Sequence, residues 1–341
     1  MPLEQQPILL RIFRNHHLRF VVFGLLLATM PYMSNWGIIR VSMLTTVASI
    51  LIYAIAALGL NLLLGYSGLV SLGTAGFMGL GAYLGGFVLN DLSASIWVAI
   101  LVAVAVPTLL GILVGLVSLR IAGIYLAIAT VCVSEILLKT FAELESFTGG
   151  MRGLTIRYPV VFGVQMNREL MFMVVVVALV LMMMLTYNLV NGQFGRAMHA
   201  MRGSESAAQA MGINLLKYRL IVFALSTAYA GLAGVMYVLF IRASYPTTWD
   251  IMLSLNLVAI IIIGGLRSIY GTVIGAFVVF GMSDLVLKRL PIIGDMTGVP
   301  YVVTGILIVV MILFYPSGIR HIPQDIKRLA SKIIKRGKKH V

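Results

Sequence analysis

The sequence predicts an all-α polytopic membrane protein of about ten transmembrane helices, with both termini on the cytoplasmic side and a short cytoplasmic coupling helix. Three observations predict it. First, 60% of the 341 residues are apolar and only 11% are charged, where a soluble domain carries about 25%. Second, long stretches hold no charge at all, including 41–90, 92–119, 170–195, 220–241, 251–266 and 296–319. Third, the formal net charge of +14 is placed mainly in loops and tails, where basic residues fix orientation and face anionic lipid. That placement also argues against a nucleic-acid partner.

A span needs about 20 apolar residues. The charge-free segments divide into predicted helices at 20–35, 41–64, 69–89, 94–117, 120–141, 169–190, 215–241, 251–264, 270–287 and 299–315. The break between the second and third is set by Gly65-Tyr66-Ser67-Gly68, a turn sequence. Spans 251–264 and 270–287 are short, as broken or re-entrant helices are. An even number of spans puts both termini on one side. Placing them inside assigns most of the 25 basic residues to the cytoplasm, among them Arg120, Arg196, Arg202, Lys217, Arg219 and Arg267. Around this permease body, 20–318, lie an amphipathic N-terminal segment, 1–19, and a basic tail, 319–341. In the tail, Ile322, Ile326, Leu329 and Ile333 recur at helical spacing among Lys and Arg. That pattern fits either a helix lying on the lipid surface or a solvated tail.

Three segments are candidates for function. In 193–214, Ser204 is an N-cap, Glu205 suits the first helical turn and Gly212 suits the position after the last. They define a short helix over about 205–211. Phe194, Met198, Met201, Ala208 and Met211 offer it an apolar surface. Such a helix is either a docking knob for a cytoplasmic subunit or an interfacial connector. In 59–86 glycines recur at close spacing. They either let helices approach closely or mark a discontinuous helix whose freed backbone lines a path. In the second case Asn61, Ser67, Ser71 and Thr74 are polar contacts. GLVSLGT at 68–74 is echoed by GLRSIYGT at 265–272, so both halves carry a glycine-rich break. Finally, Glu135 precedes Lys139 by four residues, as Asp284 precedes Lys288. Each pair either neutralises itself or supplies a carboxylate to a substrate or proton.

The single cysteine, Cys132, excludes an internal disulfide. The sequence has no GxxxxGK[ST] for ATP, no HExxH and no CxxC. It therefore offers no constellation for catalysis, no metal site and no cofactor of its own.

NLLLGYSGLVSLGTAGFMGLGAY at 61–83, TGGMRGL at 148–154, the run from Phe194 to Tyr237, IIIGGLRSIYGTVIGA at 261–276 and LFYPSGI at 313–319 occur in this order. Together they resemble permease subunits of ABC importers for branched-chain amino acids, closest to the M-type of the two subunits. The resemblance covers the chain from about residue 45 onward. It implies a second, H-type permease, two cytoplasmic ATP-binding subunits that hold ATP and magnesium, an extracytoplasmic binding protein and a bacterial inner membrane. It carries Arg202, Glu205, Ala207, Ala208, Met211 and Gly212 into ATPase coupling. The candidate substrate path comprises Asn61, Ser71, Thr74, Gly76, Gly79, Glu135, Gly149, Gly150 and Asn256. The chain departs from the family pattern at Thr74, Arg152, Arg267 and Thr272, which leaves urea and short amides as alternative substrates. A stand-alone ion-coupled transporter using Glu135 or Asp284 is the alternative from another class.

Overall fold

The computed structural model describes residues 16–37, 40–92, 94–118, 124–161 and 163–286, with isolated helical positions between 302 and 313. The segment before His16, the tenth predicted span apart from those positions, Lys288 of the Asp284–Lys288 pair and the basic tail lie outside what is described.

The described chain begins with α1, His16–Ala28, and continues in the short α2, Met30–Asn35, with Pro31 in its first turn. A proline in the first turn forfeits no helical hydrogen bond. Helix α3, Val41–Leu60, runs on without interruption into a π-helical turn, Asn61–Tyr66. Gly68 then adopts φ +78°, and the chain is irregular from there to Gly73. Helix α4 therefore starts at Thr74, not at residue 69 as the apolar run predicts, and ends at Asn90. Helices α5, Ile96–Ser118, and α6, Ile124–Glu143, follow.

A small cap comes next. It consists of α7, Glu145–Thr148, a 3-10 turn at Gly150–Arg152, and strands β1, Leu154–Thr155, β2, Val160–Val161, and β3, Val164–Gln165. Helix α8 is Arg168–Asn191 and α9 is Gln193–Gly203. Beyond it lie α10, Glu205–Ala210, and the long α11, Leu215–Ile241. Strand β4, Ala243–Ser244, and a 3-10 turn, Pro246–Trp249, lead to α12, Ile251–Gly264. Helix α13, Ile269–Ala276, continues as a second π-helical segment, Phe277–Val286.

Six of these helical stretches are long and apolar enough to cross a membrane. Helices α4, α12 and α13 are shorter and pack against the long ones. Side-chain bonds identify two ends. At one end Asn90 Nδ2 donates to the Thr155 carbonyl (2.9 Å), β1 pairs with β4, and Trp249 Nε1 donates to Ser244 Oγ (2.9 Å). At the other, Tyr66, Arg202 and Arg267 meet. The helices alternate between these ends in chain order, as a multi-pass protein requires.

The fold is thus not purely helical. β1 and β4 pair antiparallel, Leu154 opposite Ser244, and β2 and β3 form a second two-residue ladder. The physical reason is the backbone: the segments 149–167 and 242–250 leave the helices, so their amides bond to each other.

The core is organised around α11, which packs against α3, α4 and α5. Glycines set the separations. A Cβ at Gly81 of α4 would collide with the backbone of Gly231, and one at Gly234 would strike the Met78 carbonyl. Gly231 in turn lies against Ala103 and Pro107 of α5. The outer face of α5 carries Leu101, Leu109, Leu113 and Val117, all exposed, as a lipid-facing stripe is.

Gly81→Val and Gly234→Val should each destabilise the protein by about 1–3 kcal/mol through overpacking, read as a lower thermal midpoint in detergent. Gly203→Ala, where a Cβ meets nothing within 4 Å, should leave the midpoint unchanged.

Candidate functional site

The two glycine-rich breaks are brought together by one carboxamide. Asn61 opens the π-turn and is buried. Its Nδ2 donates to Thr272 Oγ1 (2.8 Å) and to the Ser268 carbonyl (3.3 Å). Its Oδ1 accepts from the Arg267 backbone N–H (3.1 Å). Both amide hydrogens and the oxygen are thereby used, which a buried carboxamide requires. Gly65 lies against it, and a Cβ there would overlap Asn61 Oδ1.

Arg267 sits at φ +62°, a strained backbone for a residue with a side chain. Three bonds hold it: the one to Asn61, its Nε donating to the Gly65 carbonyl (3.2 Å), and its own carbonyl accepting from Tyr66 Oη (2.8 Å). From the opposite side Arg202 Nη1 donates to the Leu64 carbonyl (3.2 Å), its stem passing over Gly68. Two guanidiniums therefore cap successive carbonyls at the negative end of the α3 helix. His199 stands edge-on to Tyr66, ring centres 5.6 Å apart. Burial, then Arg267, then Arg202 push the His199 imidazole below its ordinary pKa, so it is largely neutral at pH 7. Burial and Arg267 also lower Arg202.

The helical arm carrying Arg202 and His199 is the main feature sequence reading missed. The motif predicts only 205–211, whereas α9 precedes it from Gln193. The spacing of Phe194, Met198 and Met201 is the signal that marks it. These side chains do not form an external apolar surface. Met198 and Met201 are buried, Phe194 packs on Tyr218, and Ala208 is 1% exposed.

Helix α10 itself forms as the capping residues predict. Ser204 Oγ accepts from the Ala207 N–H (3.3 Å) and Gly212 takes φ +80°. Glu205 pairs with Arg219 at the start of α11. Met211 is 81% exposed and Ala207 is exposed. Glu205, Gln209, Gly212 and Arg219 border an open groove of about 670 Å³.

The remaining candidate residues fall into separate places. Thr74 and Ser71 are buried at the start of α4. The amides freed there are met by hydroxyls of neighbouring helices. Thr130 accepts from Leu72 (3.0 Å), Ser254 from Ala75 (3.0 Å) and Ser134 from Gly76 (3.1 Å). A Cβ at Gly76 would strike Ser134, and one at Gly79 would strike Phe141 and Trp249. Gly149 and Gly150, with φ +74° and +59°, shape the turn in the cap. Asn256 is half-buried on α12. Glu135 and Lys139 line a groove on the flank of α6 with Glu143, and among the described residues they form no ion pair; the pair present is Arg219–Glu205. Four residues between Glu135 and Lys139 permit contact, but nothing in the packing imposes it.

Residues 42–315 match the family described as branched-chain amino acid transport system, permease component. The high-affinity branched-chain amino acid transport permease LivM of Escherichia coli is 28% identical over 326 residues, covering 88% of this chain and 74% of that protein. A probable LivM permease of Methanocaldococcus jannaschii is 25% identical over 79% of this chain and 90% of its own length. A probable LivH permease of the same organism is 29% identical over 64% of this chain and 65% of its own. No solved structure matches.

Asn61→Leu should leave the Arg267 amide without its partner, at about 1–3 kcal/mol for a buried unsatisfied donor. Hydrogen exchange should show faster exchange confined to the 264–272 amides, together with a lower thermal midpoint.

Proposed function

Because this chain belongs to the family of permease components of branched-chain amino acid transport systems, we propose that it is the membrane-spanning subunit of an ATP-driven importer for branched-chain amino acids or similar small polar solutes. It is a multi-pass membrane protein. In this reading it works beside a second, related permease in a bacterial inner membrane, with two cytoplasmic ATPases below and an extracytoplasmic binding protein above. The end holding α9 and α10 faces the cytoplasm.

One observation carries the reading. The coupling segment is bonded to a helix break, not merely tethered near it, since Arg202 on α9 reaches the Leu64 carbonyl. The rest of the link is already in place. Helix α10 projects Met211 and Glu205 toward an ATPase. Its shift pulls α9, and α9 pulls the end of α3 through Arg202. Arg267 and Asn61 pass that displacement to α13. Gly68 and Gly265, at φ +78° and +99°, supply backbone freedom on either side of the joint. ATP chemistry stays on the partner chains, and this chain converts its motion into alternating access.

The assembled complex in proteoliposomes tests this. Arg202→Ala should lower ATP-driven uptake roughly five- to 150-fold, the range of ordinary coupling energies, while ATP hydrolysis persists. Glu205→Lys and Gly212→Trp should abolish uptake with the chain still folded in the membrane. Glu135→Gln should leave uptake unchanged, and collapsing the proton gradient at constant ATP should not stop it. Normal uptake by all three coupling variants would overturn the assignment, and loss of uptake in Glu135→Gln would favour an ion-coupled carrier.

A further inference from the structure

Beside the joint lies a cavity of about 450 Å³, where α1, α8, α9 and the start of α13 converge. Its rim is cationic or hydrogen-bond donating: His16, His199 and Arg267 all line it. Arg267 spends Nε on the Gly65 carbonyl, and its terminal amino groups make no hydrogen bond among the described residues. Among the described residues no carboxylate lines the cavity. The acid at this end that forms an ion pair, Glu205, is bound to Arg219. Arg202 adds to the crowding, since it and Arg267 both repel a proton on His199. Backbone carbonyls satisfy donors but cancel no charge, so among the described residues the positive charge of this cluster meets no carboxylate.

The walls are aromatic. Tyr187 stacks on His16, centroids 4.9 Å apart, and Tyr270 packs on Phe20 at 5.1 Å. Aromatic rings of this kind are enriched where the headgroups of a bilayer begin. Cationic pockets between spans, open to the cytoplasmic leaflet, hold phosphate headgroups. A guanidinium presents donors matched to phosphate oxygens.

We propose that this cavity binds a phosphate-bearing anion, supplied either by the headgroup of an anionic phospholipid or by a soluble phosphate, and that Arg267, His199 and His16 receive it. The anion bridges α1, α9 and the Arg267 turn, and so ties the coupling arm to the first helix. The site stands on the cavity's own chemistry and does not depend on the transport reading.

The test uses the full chain, without ATP or substrate. It is placed in nanodiscs of phosphatidylcholine, of phosphatidylcholine with phosphatidylglycerol, or of phosphatidylcholine with inorganic phosphate in the buffer. Retained lipid is counted by native mass spectrometry, and the thermal midpoint is recorded. Phosphatidylglycerol should be retained over phosphatidylcholine by about tenfold and should raise the midpoint. The pair His16→Glu with His199→Glu should lose that preference, while its own midpoint in plain phosphatidylcholine stays level or rises because the new carboxylates meet Arg202 and Arg267. His199→Gln, which keeps a donor, should retain part of the preference. Stabilisation by inorganic phosphate without phosphatidylglycerol retention would assign the anion to a soluble source. Equal retention of both lipids with no effect of phosphate would overturn the proposal. So would an undiminished preference in the double variant. Neither result touches the uptake measurements.

Discussion

The structure depends on one constraint: a backbone group freed inside the bundle has no water or lipid partner to turn to, so the protein must supply one. Helix α3 is interrupted after Tyr66, α4 begins late at Thr74, and α12 ends before Arg267. Each interruption strands amides or carbonyls. At the start of α4, hydroxyls of Thr130, Ser134 and Ser254 take the amides. At the end of α3, Arg202 and Arg267 take the carbonyls. Asn61 closes the gap between the two breaks. Asn61, Thr130, Ser134 and Ser254 are among the polar side chains that an otherwise apolar chain buries.

The same solutions connect parts of the molecule that sequence separates. Asn61 and Thr272 are 211 residues apart, and Arg202 and Leu64 are 138 apart. A repair of backbone polarity thereby becomes a mechanical link. It is strongest where guanidiniums meet helix-end carbonyls, since a charged donor bonds about twice as strongly as a neutral one. Packing elsewhere is by close approach. Gly81, Gly231 and Gly234 let α11 sit against α4 and α5.

This arrangement suits the family to which the chain belongs. Under the proposed coupling, a permease driven by another chain uses a firm connection from its inner surface to its helix breaks. The positive charge gathered at that connection, with no carboxylate lining the cavity among the described residues, is the basis of the proposed anion site.

By itself the sequence determined the class and most of the spans, because hydrophobic length is a one-dimensional property. Spans 215–241 and 251–264 coincide with α11 and α12. Ser204 and Gly212 marked α10 because capping is local chemistry. The paired breaks were legible as glycine-rich echoes, and the ordered motifs pointed to the family. What remained hidden needed the third dimension. The apolar run at 69–73 reads as helix, yet it stays non-helical, and Thr130 on α6 takes the Leu72 amide there. Met198 and Met201 read as an outward surface, but they are covered from within. Glu135 and Lys139 read as a pair, and they stand apart on the flank of α6. Most of all, no pattern in the chain announces that Arg267 at φ +62° will share a carboxamide with Asn61. Which polar group satisfies which broken helix depends on distances across the bundle, and only the packing of the spans sets those distances.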